Sequence, residues 1–482
     1  MSSQDAALKA LTAALPETVV LTDTDSLYRA SFDNLRVSRL PSAVIRPRAE
    51  EDIGTVLRLA NEQGIAVTAR GAGSATTGAA SPMPGGWVLD LSDWKQLHID
   101  AESMMAYAQP GVTVEELDRA ARAEGLFYPP DPGSKRFATI GGTLACNAGG
   151  LRGAKYGVTR DYVYGLEGFM ASGAFVRWGL DVKKYVSGYN IRDLWIGSEG
   201  TLGIITGAVL KLLPAPRAQT TLLARFPDET AALETAHAIL RARLVPSILE
   251  FLDRQTVECF RRRKVEHGNL DPWLERFVDG ALLLIEVDGH PAEVEENGQQ
   301  LETILREAGA RFERATDFDA AERLWTVRRG CSHAMFALGD TKINEDIVVP
   351  LRSQHALLEL IAEMQETIGL PMPTFGHAAD GNFHVHIMYH RDDPEESQRA
   401  QEGIETLMAR VVEMGGAITG EHGIGLAKTH FLHLQHTPEE IRIMRALKDT
   451  FDPNGVLNPE KLFTPFKPSD FPREMVRMPW DH

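Results

Sequence analysis

Apolar positions along the chain fall into two rhythms. Over EEDIGTVLRLANEQG, Ile53, Val56, Leu57 and Ala60 recur at helical spacing and share one face. TVEELDRAARAEG repeats the pattern and ends on Gly125. Between such stretches lie short β-like runs, WVLDL (Trp87 to Leu91) and LGIITGAVLKLL, each bounded by glycine turns. The first part of the chain therefore predicts an α+β domain over residues 1–215. After LKLLPAP (Leu210 to Pro216) glycine thins out and longer helical blocks appear, DETAALETAHAILRARL and EVEENGQQLETILREAGA, with strands such as ALLLIEVDG. This texture predicts an α/β domain over 216–430. A closing segment, 431–482, reads as a helix from about Glu439 to Thr450 followed by Pro-Asn-Gly turns.

A length of 482 residues exceeds what one compact core usually needs, which fits more than one domain. The formal net charge of -17 argues against a general nucleic-acid binder, because phosphate affinity comes from clustered Lys and Arg. The one basic run, Arg261 to Lys264, reads as a solvated helix face. An anionic substrate must then be drawn in by local positive groups. Cys146, Cys259 and Cys331 are far apart, which implies neither a disulfide framework nor an iron–sulfur cluster of this chain's own. With no charged-then-apolar leader and no run of about 18 apolar residues, the expectation is a cytoplasmic protein without a transmembrane segment. Peripheral attachment to the inner face of the membrane stays open.

Glycine is concentrated between Arg70 and Gly207. Gly71, Gly73 and Gly78 form GxGxxxxG, which is neither a dinucleotide fingerprint nor a Walker loop, although amides from Gly71 to Thr77 could cradle a pyrophosphate. The order R-G-x-G-[ST] at Arg70 to Ser74, D-P-x5-A-T-I-G-G at Asp131 to Gly142, N-A-G-G at Asn147 to Gly150, K-Y-G at Lys155 to Gly157 and G-S-E-G-T-L-G-I-I-T at Gly197 to Thr206 resembles the FAD-binding domain of the vanillyl-alcohol oxidase and p-cresol methylhydroxylase (PCMH) superfamily. The resemblance implies two subdomains gripping an extended FAD, with Gly71, Ala72, Gly73, Ser74 and Gly78 near the diphosphate. Pro132, Thr139, Gly141, Gly142, Asn147, Gly149, Gly150, Gly157, Glu199, Gly200, Ile204 and Ile205 would line the rest. Some members attach flavin through a histidine in the first glycine loop. None is present beside Ser74, and Cys146 falls where the family has a small packed residue, so non-covalent FAD is expected.

FGHAADGNFHVHIMYH, Phe375 to His390, places four histidines beside an Asp-Gly turn. Phe383 to Met388 alternates like a strand, so His384 and His386 share a face while His377 arrives across the turn. Converging imidazoles suit zinc or another borderline divalent metal, and GGAITGEHGIGLAK supplies Glu421 and His422 in a glycine-rich bend. G-H-x-x-D-G-N-x-H followed by G-E-H-G-I-G-x-x-K resembles the C-terminal domain of FAD-linked D-2-hydroxy-acid dehydrogenases: D-lactate dehydrogenase, the glycolate oxidase flavin subunit and D-2-hydroxyglutarate dehydrogenase. The resemblance spans roughly residues 40 to 463. It implies that His377, His384 and Glu421 are metal ligands and that His422 accepts the substrate hydroxyl proton as hydride leaves for the flavin; the metal expected is zinc, with manganese or iron as alternatives. Asn458, in VLNPEKLF, matches the family's closing motif, which returns the tail to the FAD domain.

Arg328 matches the family arginine that grips a carboxylate, a task suited to its planar fork. Lys342 lies near the second cation of dicarboxylate-preferring relatives, with Ser332 in support. His386 stands where those relatives carry asparagine, and the spacing to Lys342 differs by one residue. These departures favour a small acid, D-lactate or glycolate, with D-2-hydroxyglutarate or D-malate as the alternative. A non-catalytic flavin subunit of a redox complex and a metal hydrolase are weighed and disfavoured, since the metal set and the FAD motifs occur together. With no nicotinamide fingerprint, the expected acceptor is a quinone, a cytochrome or an electron-transfer flavoprotein. A homodimer or an iron–sulfur partner subunit is compatible with the sequence.

Overall fold

The computed structural model describes residues 3–468 together with Glu474 and Met478. The chain forms two compact units. One comprises the residues up to Gly150, Val158–Ala215 and the chain from Glu421 onward, and the other comprises Leu151–Gly157 and Pro216–Gly420.

The first unit holds two main sheets. Four short strands lie in the order Val20–Leu21, Ala43–Ile45, Trp87–Asp90, Val67–Arg70. The last three are parallel, so a crossover is required between Ala43–Ile45 and Val67–Arg70, and the helix Glu50–Gln63 makes it. Its Ile53, Val56, Leu57 and Ala60 are fully buried against Ile45, Val67 and Leu89. Each large aliphatic side chain removed from water there stabilises by about 1.5–3 kcal/mol. The second sheet is antiparallel, in the order Leu97–Asp100, Met105–Ala108, Ile204–Lys211, Val163–Phe169, Phe175–Gly179. The helix Val114–Ala123 opens with a capping box between Thr113 and Glu116, and the tail helix Pro438–Phe451 with one between Thr437 and Glu440. Beyond that helix the tail pairs with the edge of the first sheet. The Val67 amide donates to the Val456 carbonyl at 2.7 Å and the Asn458 amide to the Val67 carbonyl at 2.8 Å.

The second unit is built on one seven-stranded antiparallel sheet. Its strands are β1 (Ala218–Phe226), β2 (Ile248–Leu252), β3 (Ala281–Gly289), β4 (Arg311–Arg314), β5 (Thr341–Val348), β6 (Thr374–His377) and β7 (Asn382–Tyr389), in the order β4-β1-β3-β2-β6-β7-β5. Side chains alternate between faces, and directly paired residues share one. Glu250 pairs with His377, His377 with Asn382, Phe375 with His384, and Asn344 with His386, so all of these lie on one face. That face also carries Leu252, Phe375 and Met388, which are buried in a core with Val257 and Phe260 of the helix Arg254–Glu266 and Leu324, Val327 and Cys331 of the helix Phe318–Ala334. Along the same strands the surface changes from apolar under these helices to polar at Glu250, His377 and His384. The stretch Leu151–Gly157 joins this unit because Lys155 Nζ and Tyr156 Oη donate to the Asp288 carboxylate on β3, the tyrosine at 2.9 Å. Among the described residues no helix is long and apolar enough to cross a membrane.

Candidate active site

In the first unit the glycine motifs converge although they are far apart in sequence. Thr139 caps the helix Ile140–Cys146, its Oγ1 accepting from the Gly142 amide. Gly71 lies so close that a methyl there would fall 2.2 Å from that hydroxyl, so the first two motifs touch only because this position lacks a side chain. The helix ends on Asn147 in the left-handed region, φ 51°, with its Oδ1 accepting from the Arg160 amide. The Gly197 and Glu199 amides donate to the Leu144 and Ala145 carbonyls of the same helix. Pro132, Gly141, Gly142, Gly150, Gly200, Ile204 and Ile205 are also in this unit. Gly157 is in the stretch that belongs to the second. Asn458 stitches the tail on: its amide nitrogen donates to the Ala79 and Glu199 carbonyls at 2.8 and 2.7 Å, and its carbonyl oxygen accepts from Thr68 Oγ1.

The loop after Val67–Arg70 has the properties of an anion cradle. Among the described residues, the amides of Ala72 to Thr77 donate to no protein acceptor, and the buried Thr76 Oγ1 has no hydrogen-bond partner. Consecutive amides in such a loop match the oxygens of a diphosphate. The FAD that the sequence resemblance implies for this unit therefore fits the residues present. Burial pushes the Cys146 thiol well up, which leaves it a poor nucleophile toward a flavin.

In the second unit the centre is Glu250, which the sequence reading missed. It is fully buried, and its two oxygens are divided between His377 Nδ1 and Arg328 Nε, the latter at 2.5 Å. Burial raises its pKa, but the adjoining His377 imidazole and Arg328 guanidinium outweigh this and hold the carboxyl below its usual range. The hydrogen bond to Nδ1 leaves Nε2 as the His377 nitrogen suited to a metal, the arrangement in which a carboxylate orients an imidazole ligand. The His377 and His384 rings lie 5.6 Å apart between centroids, nearly perpendicular. This donor set fits a borderline divalent cation.

The Arg328 guanidinium lies 4.3 Å above the Phe375 ring, which orients the fork while Nε is held by Glu250. Lys342 Nζ donates to Ser332 Oγ at 2.9 Å. His386 Nδ1 lies 3.1 Å from the Pro373 carbonyl, and burial, reinforced by Lys342 and Arg328, holds its imidazole well below the usual range, so it is neutral. His390, the fourth histidine of the run, is on the surface beside Glu396. The Asp-Gly turn is fastened by Asp346, whose Oδ1 accepts from Asn382 Nδ2 at 2.6 Å and whose Oδ2 accepts from the Gly420 amide at 2.9 Å. Glu421 follows Gly420 by one peptide bond and opens the return of the chain to the first unit. In that unit a methyl on Gly149 would fall 2.8 Å from Glu421 Oε1, and the His422 carbonyl accepts from Thr77 Oγ1 at 3.2 Å.

The amide cradle suits the diphosphate of a flavin nucleotide, and comparison with known proteins gives the class, an FAD-linked oxidoreductase, and the family. Residues 41–179 match the FAD binding domain model, and residues 215–462 match the model of the C-terminal domain of FAD linked oxidases. The chain belongs to the FAD-linked oxidase family. It is 38% identical over 427 residues to glycolate oxidase subunit GlcD of Bacillus subtilis, covering 88% of this chain and 89% of that one. It is 36% identical to D-lactate dehydrogenase of Anaerostipes hadrus, again over 88% and 89% of the two chains. Among solved structures, p-cresol methylhydroxylase superposes with a TM-score of 0.79 at 17% identity over 96% and 97% of the chains, which shows a shared fold.

Proposed function

We propose that this protein oxidises a small D-2-hydroxy acid, D-lactate or glycolate, to the 2-oxo acid, with non-covalent FAD and a divalent metal, zinc favoured. Its relatives at 32–38% identity include proteins named glycolate oxidase subunit GlcD and D-lactate dehydrogenase. The observation that carries the reading is the division of one buried carboxylate, Glu250, between His377 and Arg328. A metal-binding imidazole and a carboxylate-binding guanidinium are thereby held by the same group.

In this proposal His377, His384 and Glu421 are the metal ligands, and a bound metal and flavin would supply Lewis acidity toward a hydroxyl oxygen and hydride acceptance. Arg328 grips the substrate carboxylate through the Nη edge of its fork, since Nε is engaged by Glu250. Phe375 beneath the guanidinium keeps that edge in one plane. His422 accepts the hydroxyl proton. The neutral, buried His386 shapes the pocket without adding charge. A second reading, oxidation of D-2-hydroxyglutarate or D-malate, is favoured by Lys342 and Ser332, which are joined at 2.9 Å, Ser332 lying one turn along the helix from Arg328, and could meet a second carboxylate. A quinone, a cytochrome or an electron-transfer flavoprotein is the proposed acceptor.

Dye-linked oxidation of D-lactate, L-lactate, glycolate and D-2-hydroxyglutarate tests this reading, before and after chelation and after return of Zn2+, Mn2+ or Fe2+. Activity with a D-acid or glycolate, lost on chelation and restored by one metal, is expected. Full activity in the metal-free protein would remove the metal from the proposal. Acid precipitation should release all the flavin into the supernatant; yellow colour retained in the pellet would contradict non-covalent attachment.

A further inference from the structure

Glu199 is buried and has a left-handed backbone, φ 53°, a conformation that is strained for a residue with a side chain. Such strain persists where surrounding structure over-determines it, and here the backbone is held from both sides. Its amide donates to the Ala145 carbonyl at 2.8 Å, and its carbonyl accepts from Asn458 Nδ2 at 2.7 Å. The side chain is directed to the bend that follows His422. One carboxylate oxygen accepts from the Ile424 amide and the other from the Gly425 amide, both at 2.7 Å. Gly423 passes so close that a methyl there would fall 2.6 Å from Glu199 Oε1. The bend has a second fastening, since the Thr77 carbonyl accepts from the Leu426 and Ala427 amides at 2.7 and 2.9 Å, and Thr77 Oγ1 donates to the His422 carbonyl.

We propose that Glu199 is a positioning residue for His422, its carboxylate clamping the Gly423–Gly425 bend by two amide hydrogen bonds and so fixing the direction of the proton-accepting imidazole. The inference rests on the reading of His422 given above. It assigns the Glu199 side chain to the protein's own loop rather than to the cofactor. Thr77 terminates the run of amides that fits a diphosphate, and Ala145 belongs to the helix capped by Thr139, so the bend is tied to the same elements that hold FAD. Burial pushes the Glu199 carboxyl up to about 7, and its two oxygens accept from adjacent amides in either protonation state, so the paired bonds restrict a flexible glycine-rich segment.

Two variants separate side chain from backbone. Glu199→Gly deletes the carboxylate at a position whose φ glycine adopts without strain, and Glu199→Gln keeps one acceptor oxygen in nearly the same volume. Hydrogen exchange on the FAD-loaded full-length protein reads the clamp without reference to substrate. The Ile424 and Gly425 amides should exchange about 10–100-fold faster in Glu199→Gly and less so in Glu199→Gln. The anaerobic rate of flavin reduction by the best acid should fall about 100-fold and about 10-fold respectively, with KM changed less than threefold and the flavin spectrum retained. Unchanged exchange in both variants would overturn the proposal, as would faster exchange with an unchanged reduction rate. If none of the acids reduces the wild-type flavin, the functional reading fails separately, and the exchange data alone decide whether Glu199 holds the bend.

Discussion

Replacing Glu250 with glutamine tests the link between fold and metal chemistry at a single atom. The substitution keeps the volume of a fully buried side chain on β2, so no cavity forms and packing against Leu284 and His377 is preserved. It removes the charge that His377 and Arg328 share, and places an NH2 group where one of two acceptor oxygens stood. Loss of an outer partner of a metal-binding histidine typically lowers metal affinity about 10–100-fold, equivalent to about 1.4–2.7 kcal/mol. Arg328 also loses its anchor, so substrate binding should weaken alongside. The assay is competition of the purified protein against a chromophoric chelator, followed by measurement of KM for D-lactate and glycolate at saturating metal. The expected result is metal affinity lowered about 10–100-fold, KM raised, and FAD content unchanged. Metal affinity within threefold of wild type, with the fold intact, would refute the idea that Glu250 orients a ligand.

Arg328→Lys keeps the charge but not the fork or the stacking on Phe375, so KM for the acid should rise about 10–100-fold with a smaller loss of kcat; equal kcat/KM would contradict a carboxylate-gripping role. His422→Asn should lower kcat about 100- to 10,000-fold with little change in KM or metal content, as measured by steady-state kinetics and metal analysis; a kcat reduced less than tenfold would remove it as the proton acceptor. Burial pushes Asp253 up to about 7 despite the bonds it accepts from Thr256 and Thr374. The native state then binds more protons than the unfolded chain from about pH 4 to about 7, so this residue's contribution to stability falls as pH rises through that window. Thermal melts of wild type and Asp253→Asn from pH 4.5 to 8 should show the wild-type Tm minus the variant Tm falling as pH rises; a difference that increases with pH would reverse the assignment.

Much of the molecule was legible because its motifs are local. The one-faced apolar set Ile53, Val56, Leu57 and Ala60 gave its helix directly, and the alternation from Phe383 to Met388 gave the strand and the shared face of His384 and His386. The glycine motifs pointed to close backbone approach, and Gly71 does pass within a methyl's reach of Thr139. Partners remote in sequence were not legible. Glu250 is 127 residues from His377, and Glu199 is 225 from Ile424, so neither contact has a spacing that could be read. A signal for Glu250 did exist: it is the single charged residue in the strand ILEFL, and a carboxylate in an otherwise apolar strand needs a partner. Gly157 illustrates the reverse limit. K-Y-G lies between FAD motifs in sequence, yet Lys155 and Tyr156 bond to Asp288 in the second unit, which no local pattern specifies.

If the proposed function holds, a D-2-hydroxy acid reduces the flavin only while the metal is bound. The most direct measurement is the visible spectrum of the FAD-loaded protein, recorded anaerobically as D-lactate, L-lactate, glycolate and D-2-hydroxyglutarate are added in separate experiments. D-lactate or glycolate should bleach the flavin bands, L-lactate should not, and a chelator should abolish the bleaching. Flavin bands left unchanged by every acid in metal-replete protein, or bleached equally after the metal is removed, would contradict the proposed function.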